Sequence, residues 1–247
     1  MRKLGVVAVA VASLMLMAFA AFAAEAPVGE DMKGKFSISA FGGLAMPSGK
    51  LGEEFDVLTG TLDDGFPGVG MKMSPDFGAS VDYFVTKDIA VGADVSYVKM
   101  KNEAVAVLGI DVLPEKWLEA TTLQFGVHGK YFLPTGGPVR PYLALGAGMY
   151  SRKLALTDEG KTALEDLLEG PVDPSEFSDS KFGGNGGVGV EYKVNEMFGV
   201  GLNGAYHMTM GKLEHDFGTG TEETVLKDWT YMAFNAQVTF YIPMAKK

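Results

Sequence analysis

The sequence predicts an all-β fold: an eight-stranded antiparallel up-and-down transmembrane β-barrel with four long loops at one end and three short turns at the other. Three observations carry this. Hydrophobicity alternates with a period of two in eight separate segments, the mark of strands with one apolar face. The connections between them alternate strictly between short and long. Finally, 47% of the 247 residues are hydrophobic against 21% charged. Yet no internal apolar run reaches the roughly 18 residues that a membrane helix needs, so the apolar matter is spread over many short segments.

Taken in chain order, the first strand sets Phe36, Ile38, Ala40 and Leu44 against Ser37, Ser39 and Gly43. The second sets Phe77, Ala79, Val81, Tyr83 and Val85 against Gly78, Ser80 and Asp82. In the third, Ile89, Val91, Ala93, Val95 and Tyr97 alternate with Gly92, Asp94 and Ser96. The fourth opposes Leu123, Phe125, Val127 and Tyr131 to Gln124, Gly126, His128 and Lys130, and the fifth Leu143, Leu145, Ala147 and Met149 to Tyr142, Ala144, Gly146 and Gly148. The sixth alternates Val188, Val190, Tyr192 and Val194 with Gly187, Gly189, Glu191 and Lys193. The seventh alternates Phe198, Val200, Leu202, Tyr206 and Met208 with Gly199, Gly201, Asn203, Ala205 and His207. The last is the cleanest: Met232, Phe234, Ala236, Val238, Phe240 and Ile242 face away from Tyr231, Ala233, Asn235, Gln237, Thr239 and Tyr241. A tilted strand of about 9–11 residues crosses a bilayer, and these segments fit.

The short connections carry turn-forming residues: Thr86-Lys87-Asp88, Pro134-Thr135-Gly136-Gly137-Pro138 and Asn195-Glu196. The long ones run over Pro47–Asp76, Asn102–Glu119, Arg152–Lys181 and Gly211–Asp228. Membrane barrels sort their connections in this way, with short periplasmic turns and long external loops; a soluble barrel or sandwich has no reason to. A soluble barrel would also need more outward charge than Asp82, Asp94, Lys130 and Glu191 supply.

Composition excludes other classes. With no Cys there is no disulfide scaffold and no thiolate metal site. The net charge of −10 argues against general nucleic-acid binding, which needs a basic stripe. The N-terminus reads as a secretory signal: Arg2 and Lys3, an apolar stretch from Leu4 to Ala20, then small residues at Ala21 and Ala23. Cleavage after Ala23 removes two cations and takes the formal charge from −10 to −12. The expected organisation is a signal over 1–23, a short periplasmic segment over 24–34, the barrel over 35–243 and a tail over 244–247.

On this pattern the chain resembles the eight-stranded outer-membrane β-barrel superfamily of Gram-negative bacteria, with OmpA/OmpX-type membrane domains first and OmpW-like barrels as runner-up. The resemblance covers Lys35 to Ile242. Its sharpest local signature is the last strand, where Asn235, Gln237, Phe240 and Ile242 look like the C-terminal signal read by the barrel-assembly machinery. Gln237 stands where that signal usually has Gly, and Pro243 to Lys247 follow where it usually ends in Phe. Those five residues are too few for the soluble wall-binding domain of larger OmpA-type proteins, so no wall-tethering role is expected. The resemblance implies a monomer in the bacterial outer membrane, with membrane lipid, lipopolysaccharide and the assembly machinery as partners.

An eight-stranded barrel is just wide enough to be filled by its own side chains. The inward faces carry Asp82, Asp94, Glu191, Lys130, Arg140 and Lys193, with Gln124, His128, Asn203, His207, Asn235 and Gln237 among them. Opposite charges in a narrow bore pair, since an unpaired buried charge is expensive, and a paired network plugs the lumen. The expected function is therefore structural, with surface interaction through acidic loops. The alternative is a narrow porin or an OmpW-like conduit for small solutes, which the many inward glycines leave open.

The Arg152–Lys181 loop has eight acidic residues against four basic ones. Thr157 to Leu168 within it reads as a helix capped by Thr157, with Leu164, Leu167 and Leu168 on one face and Gly170-Pro171 as its stop. It is either a solvated surface helix or a lid or partner-docking element. No ordered ligand spacing assigns a metal site or a cofactor. The remote enzymatic reading, a lipid A-modifying barrel, needs a His-Ser pair near a carboxylate. The nearest approach, His207-Met208-Thr209, has Thr in place of Ser and a lumen-facing His, so no enzyme is expected.

Overall fold

The computed structural model describes residues 32–53, 69–102, 105–107, 110–172, 175–216 and 222–242. The signal, residues 24–31 and residues 243–247 lie outside the described residues. In chain order the strands are β1 (Phe36–Ser48), β2 (Ser74–Phe84), β3 (Ile89–Lys101), β4 (Val105–Val107), β5 (Ile110–Leu113), β6 (Leu118–Phe132), β7 (Val139–Leu156), β8 (Glu176–Lys193), β9 (Phe198–Thr209), β10 (Leu213–Asp216), β11 (Glu222–Leu226) and β12 (Thr230–Ile242); among the described residues a 3-10 turn (Gly49–Leu51) follows β1 and an α-helix, α1 (Asp158–Leu168), lies between β7 and β8.

Eight of these strands close an antiparallel barrel in the order β1-β12-β9-β8-β7-β6-β3-β2. The first and last strands seal it, from Phe36 opposite Ile242 to Ser48 opposite Thr230. No edge is left in the barrel, so the backbone within the membrane belt is paired across ladders on both sides, as lipid requires. The short turns are locked locally. Asn195 Oδ1 accepts from the amides of Met197 and Phe198 at 2.8 and 2.9 Å. Thr86 Oγ1 accepts from Asp88 N and Ile89 N at 3.2 and 2.9 Å.

In the lower part of the wall the apolar face points outward. Leu145 is 74% exposed and Val127 65% exposed, while Ser39, Asp82 and Gln124 are buried inside. Aromatic pairs flank this belt: Phe36–Tyr83 and Phe198–Phe240 toward the turns, at ring separations of 4.9 and 5.2 Å, and Phe77–Tyr97 toward the loops at 5.4 Å. Such aromatic girdles mark the two interfaces of a membrane barrel.

Above Tyr97 on β3 the rule reverses. Val98 and Met100 are buried inside, while Lys99 points out. On β6 Leu118 and Ala120 are buried, and Glu119 between them reaches out to Lys99 Nζ at 2.7 Å. On β7 Leu154 is buried while Ser151 is exposed. The same ladder thus follows the membrane rule below and the soluble-protein rule above, and the reversal marks where lipid ends. This is why the strands outrun the sequence expectation. The apolar-outward pattern stops at the lipid boundary, but the hydrogen-bonded strands continue beyond it, to 18 residues in both β7 and β8.

The loops build on this raised rim. Two small hairpins, β4–β5 and β10–β11, arise from them. Helix α1 is capped by Thr157, whose Oγ1 accepts from Gly160 N at 3.2 Å and donates to Lys116 O at 2.8 Å. Gly160 permits close approach, since a Cβ there would lie 2.1 Å from Trp117 O. Ala163 and Leu164 pack on the apolar cluster beneath, but Leu167 is exposed, so the expected leucine face is narrower than its spacing implied. The helix ends at Glu169, itself left-handed with φ 51°, one residue before the glycine expected to stop it.

Candidate functional site

The lumen is arranged in three layers. At the turn end Met32, Phe84, Ala90, Phe132, Tyr142 and Tyr241 form a buried apolar plate. Met32 comes from the segment before β1. The chain turns through Gly34 at φ 81°, with Gly34 N donating to Phe84 O at 2.8 Å, and this folds the methionine into the mouth. The Arg140 guanidinium lies over the rings of Phe132 and Phe84, at 4.1 and 5.2 Å. Its Nη1 is 3.6 Å from Glu191 Oε1, which also accepts from the Tyr241 hydroxyl. Lys193 Nζ lies 5.2 Å from the Tyr241 ring and 3.4 Å from Met32 Sδ.

The middle layer is polar. Two carboxylates clamp one imidazole: His128 Nε2 is 2.6 Å from Asp82 Oδ1, and its Nδ1 is 2.7 Å from Asp94 Oδ1. Lys130 Nζ donates to the second oxygen of Asp82 at 2.8 Å. Gln124 Nε2 donates to the second oxygen of Asp94 at 2.8 Å, and Gln124 Oε1 accepts from Ser96 Oγ at 3.1 Å. Across the bore, Gln237 Oε1 accepts from both Tyr142 OH and Asn203 Nδ2 at 3.2 Å. Asn235 Nδ2 donates to Asp76 Oδ2 at 2.8 Å. Inward glycines make room for the large partners: a Cβ at Gly78 would come within 2.5 Å of the Phe41 ring, and one at Gly189 within 2.3 Å of Tyr142 Cζ. What remains is a cavity of about 90 Å³ bordered by Asp76, Asp94, Asn203 and Gln237 among others.

Above this His207 stacks flat on Tyr231, 4.6 Å between ring centres, with the Tyr150 hydroxyl 3.2 Å from its Nδ1. The upper closure follows. Arg152, with 0% of its side chain exposed, grips Asp179 through Nε at 2.8 Å and Nη2 at 2.5 Å. It also donates to Thr209 Oγ1 at 2.8 Å and to the carbonyls of Gly211 and Lys212 at 3.3 and 3.1 Å. One guanidinium thereby ties β7, β8 and the chain leaving β9. Over it sits the larger apolar cluster, which includes Leu51, Val69, Met100, Leu154, Leu213, Trp117 and Trp229. Trp229 Nε1 is anchored on Thr122 Oγ1 at 2.8 Å.

All twelve inward positions read from the sequence lie on the lumen side and join the ion pairs and hydrogen bonds above; Lys193, through Met32 Sδ, and His207, through the Tyr150 hydroxyl, also meet aromatic rings. Asn235 and Gln237 of the assembly signal hold lumen bonds, while Phe240 and Ile242 sit on the opposite face of β12. Arg152, Asp179 and Asp76 were missed. By alternation alone the first two fall in a long loop and the third at the end of another. The signal for Arg152 was the continuing alternation Tyr150, Arg152, Leu154 against Ser151, Lys153, Ala155, with its polarity reversed. Among the described residues no group of three His, Asp or Glu side chains is placed to hold a metal. Thr209, beside His207, is occupied by Arg152.

No curated protein matches the chain closely enough to count as a relative. Among solved structures it is similar to the outer membrane protein OprG of Pseudomonas aeruginosa, at 16% identity over 88% of this chain and 100% of that one, with a TM-score of 0.52. It is also similar to Neisserial surface protein A (17% identity, 83% and 96% covered, TM-score 0.48) and to the attachment invasion locus protein Ail of Yersinia pestis (15%, 85% and 100%, TM-score 0.45). At such identities the likeness concerns the fold alone. The family model described as the outer membrane protein beta-barrel domain matches residues 9–240. On that match, and with a closed eight-stranded barrel whose apolar face turns outward, the chain belongs to the outer membrane protein beta-barrel family.

Proposed function

We propose that this protein is a closed, non-conducting barrel of the bacterial outer membrane, reached through a cleaved signal, with a structural and surface-interaction role. One observation carries the reading: the polar middle of the lumen lies between two apolar closures, the Phe84–Tyr241 plate below and the Trp117–Trp229 cluster above. An ion crossing this path would shed its water against apolar side chains at both ends, which is costly. What the barrel presents outside is a folded cap with the acidic surface of α1, where Asp158, Glu159, Asp166 and Glu169 are exposed. Membrane lipid and lipopolysaccharide surround the belt, the assembly machinery reads β12, and the barrel acts as a monomer without cofactor or catalysis. Proteoliposome swelling tests this: solute entry should stay at the rate of protein-free vesicles.

The cavity favours a second reading, a narrow conduit for small polar solutes. It requires both closures to part, and solute-dependent swelling would favour it.

A further inference from the structure

Asp82, Asp94 and Glu191 each face Lys130, His128 or Arg140. Asp76 does not. It lies 3% exposed on the wall of the cavity, no ion pair joins it among the described residues, and its one side-chain donor is the neutral amide of Asn235. Its Oδ1 is buried without a partner, and so is Oδ1 of Asn235, a side chain 6% exposed. An uncompensated carboxylate inside a membrane barrel is expensive, and an intramembrane ionisable residue is a candidate functional site by default.

Both residues line the cavity, and the backbone explains how their side chains meet. Gly43 of β1 is paired with Asp76 on one side and with Asn235 on the other. The two side chains reach toward each other across a residue that has none. A Cβ on Gly43 would fall 2.5 Å from Asn235 Oδ1, so this cradle exists only because the position is glycine. Its leftover groups are acceptors alone, one of them charged.

We propose that this cradle, Asp76–Gly43–Asn235, binds a single small monovalent cation such as sodium, which balances Asp76 inside the lumen. Oxygen donors suit a hard cation. One carboxylate and one amide fall short of the several charged ligands that calcium takes and of the octahedral shell that magnesium demands. The adjoining cavity has room for water to complete the coordination. The site does not depend on whether the lumen conducts.

The test uses the mature chain refolded in detergent micelles, with choline chloride exchanged for sodium chloride at constant ionic strength. The urea midpoint of the wild type should climb with sodium, because a ligand held only by the folded state stabilises by mass action. The Asp76→Asn barrel should not respond, while Lys99→Gln, on the outer surface, should respond like the wild type. A wild-type midpoint that is the same in both salts overturns the proposal. So does an Asp76→Asn response equal to the wild type's, or a midpoint that follows pH and ignores sodium, which would make a proton the neutralising partner. Should Asp76→Asn fail to fold, equilibrium dialysis of the wild type against radioactive sodium in excess choline decides. One bound ion per chain supports the site, and none overturns it.

Discussion

Fully buried Arg152 and part-buried Asp179 form a two-pronged ion pair at the rim, 2.8 and 2.5 Å along its two arms. This pair holds the cap to the barrel, because the same guanidinium binds the chain that leaves β9. Removing one partner of a buried pair costs about 3–5 kcal/mol, most of it from the charge left behind. Arg152→Ala should therefore loosen the cap and leave the membrane belt intact. Both tryptophans, Trp117 and Trp229, sit in the cap, so selectively excited tryptophan fluorescence reports on it alone. The emission should shift to the red and the loops become protease-sensitive, while heat-modifiable gel migration is kept. Arg152→Lys should not rescue it, since a lysine cannot fork onto both carboxylate oxygens.

Among the described residues His128 is the one side chain that joins Asp82 to Asp94, through bonds of 2.6 and 2.7 Å. His128→Leu removes both at once and strands two acidic groups, with Lys130 and Gln124 as their remaining partners. The expected loss is about 3 kcal/mol or more, read as a lower urea midpoint in micelles. Asp94→Asn, which keeps shape and most bonds, should cost less than half as much. Equal losses would mean the clamp is not the stabilising element.

The packing of the lumen can be probed from its glycines. Gly189→Ala drives a methyl into Tyr142, an overpacking that costs about 1–3 kcal/mol. Gly137→Ala, in a turn with nothing within 4 Å, should lie within about 0.5 kcal/mol of the wild type. Combining Gly189→Ala with Tyr142→Ala should cost less than the two losses added.

The reversal of the outward face on β7 places the lipid boundary between Met149 and Ser151. Leu145→Arg puts a charge in the belt and should destabilise by about 2–4 kcal/mol. Ser151→Arg, on the same face six residues further along, should be close to neutral. Folding into bilayers with urea titration separates the two, and a similar penalty at both positions would move the boundary.

These elements also mark what the sequence could disclose. Inside the belt each strand repeats one rule, so Met232 to Ile242 or Phe36 to Leu44 is legible from alternation alone, and the inward partners Asp82, His128 and Lys130 follow by parity. Which of those partners touch depends on inter-strand register, which alternation leaves open; that is why the His128 clamp was not foreseen. Beyond the belt the alternation continues with its sign reversed. Glu119 and Lys153 therefore read as loop residues, with Lys99 and Ser151 just outside the loops, although all four are the outer face of extended strands. Met32 gave no signal, because its burial follows from a turn at Gly34 rather than from any period. Asp76 stood at a presumed strand edge, and only its pairing opposite Gly43 reveals it as a lumen group.

The central claim is that the lumen is shut at both ends, and single-channel recording in planar bilayers tests it most directly. With insertion verified by heat-modifiable migration, the account predicts a flat trace for the wild type. Reproducible conductance steps that change in size with Lys130→Met or Glu191→Gln would place the current through the lumen and contradict the claim.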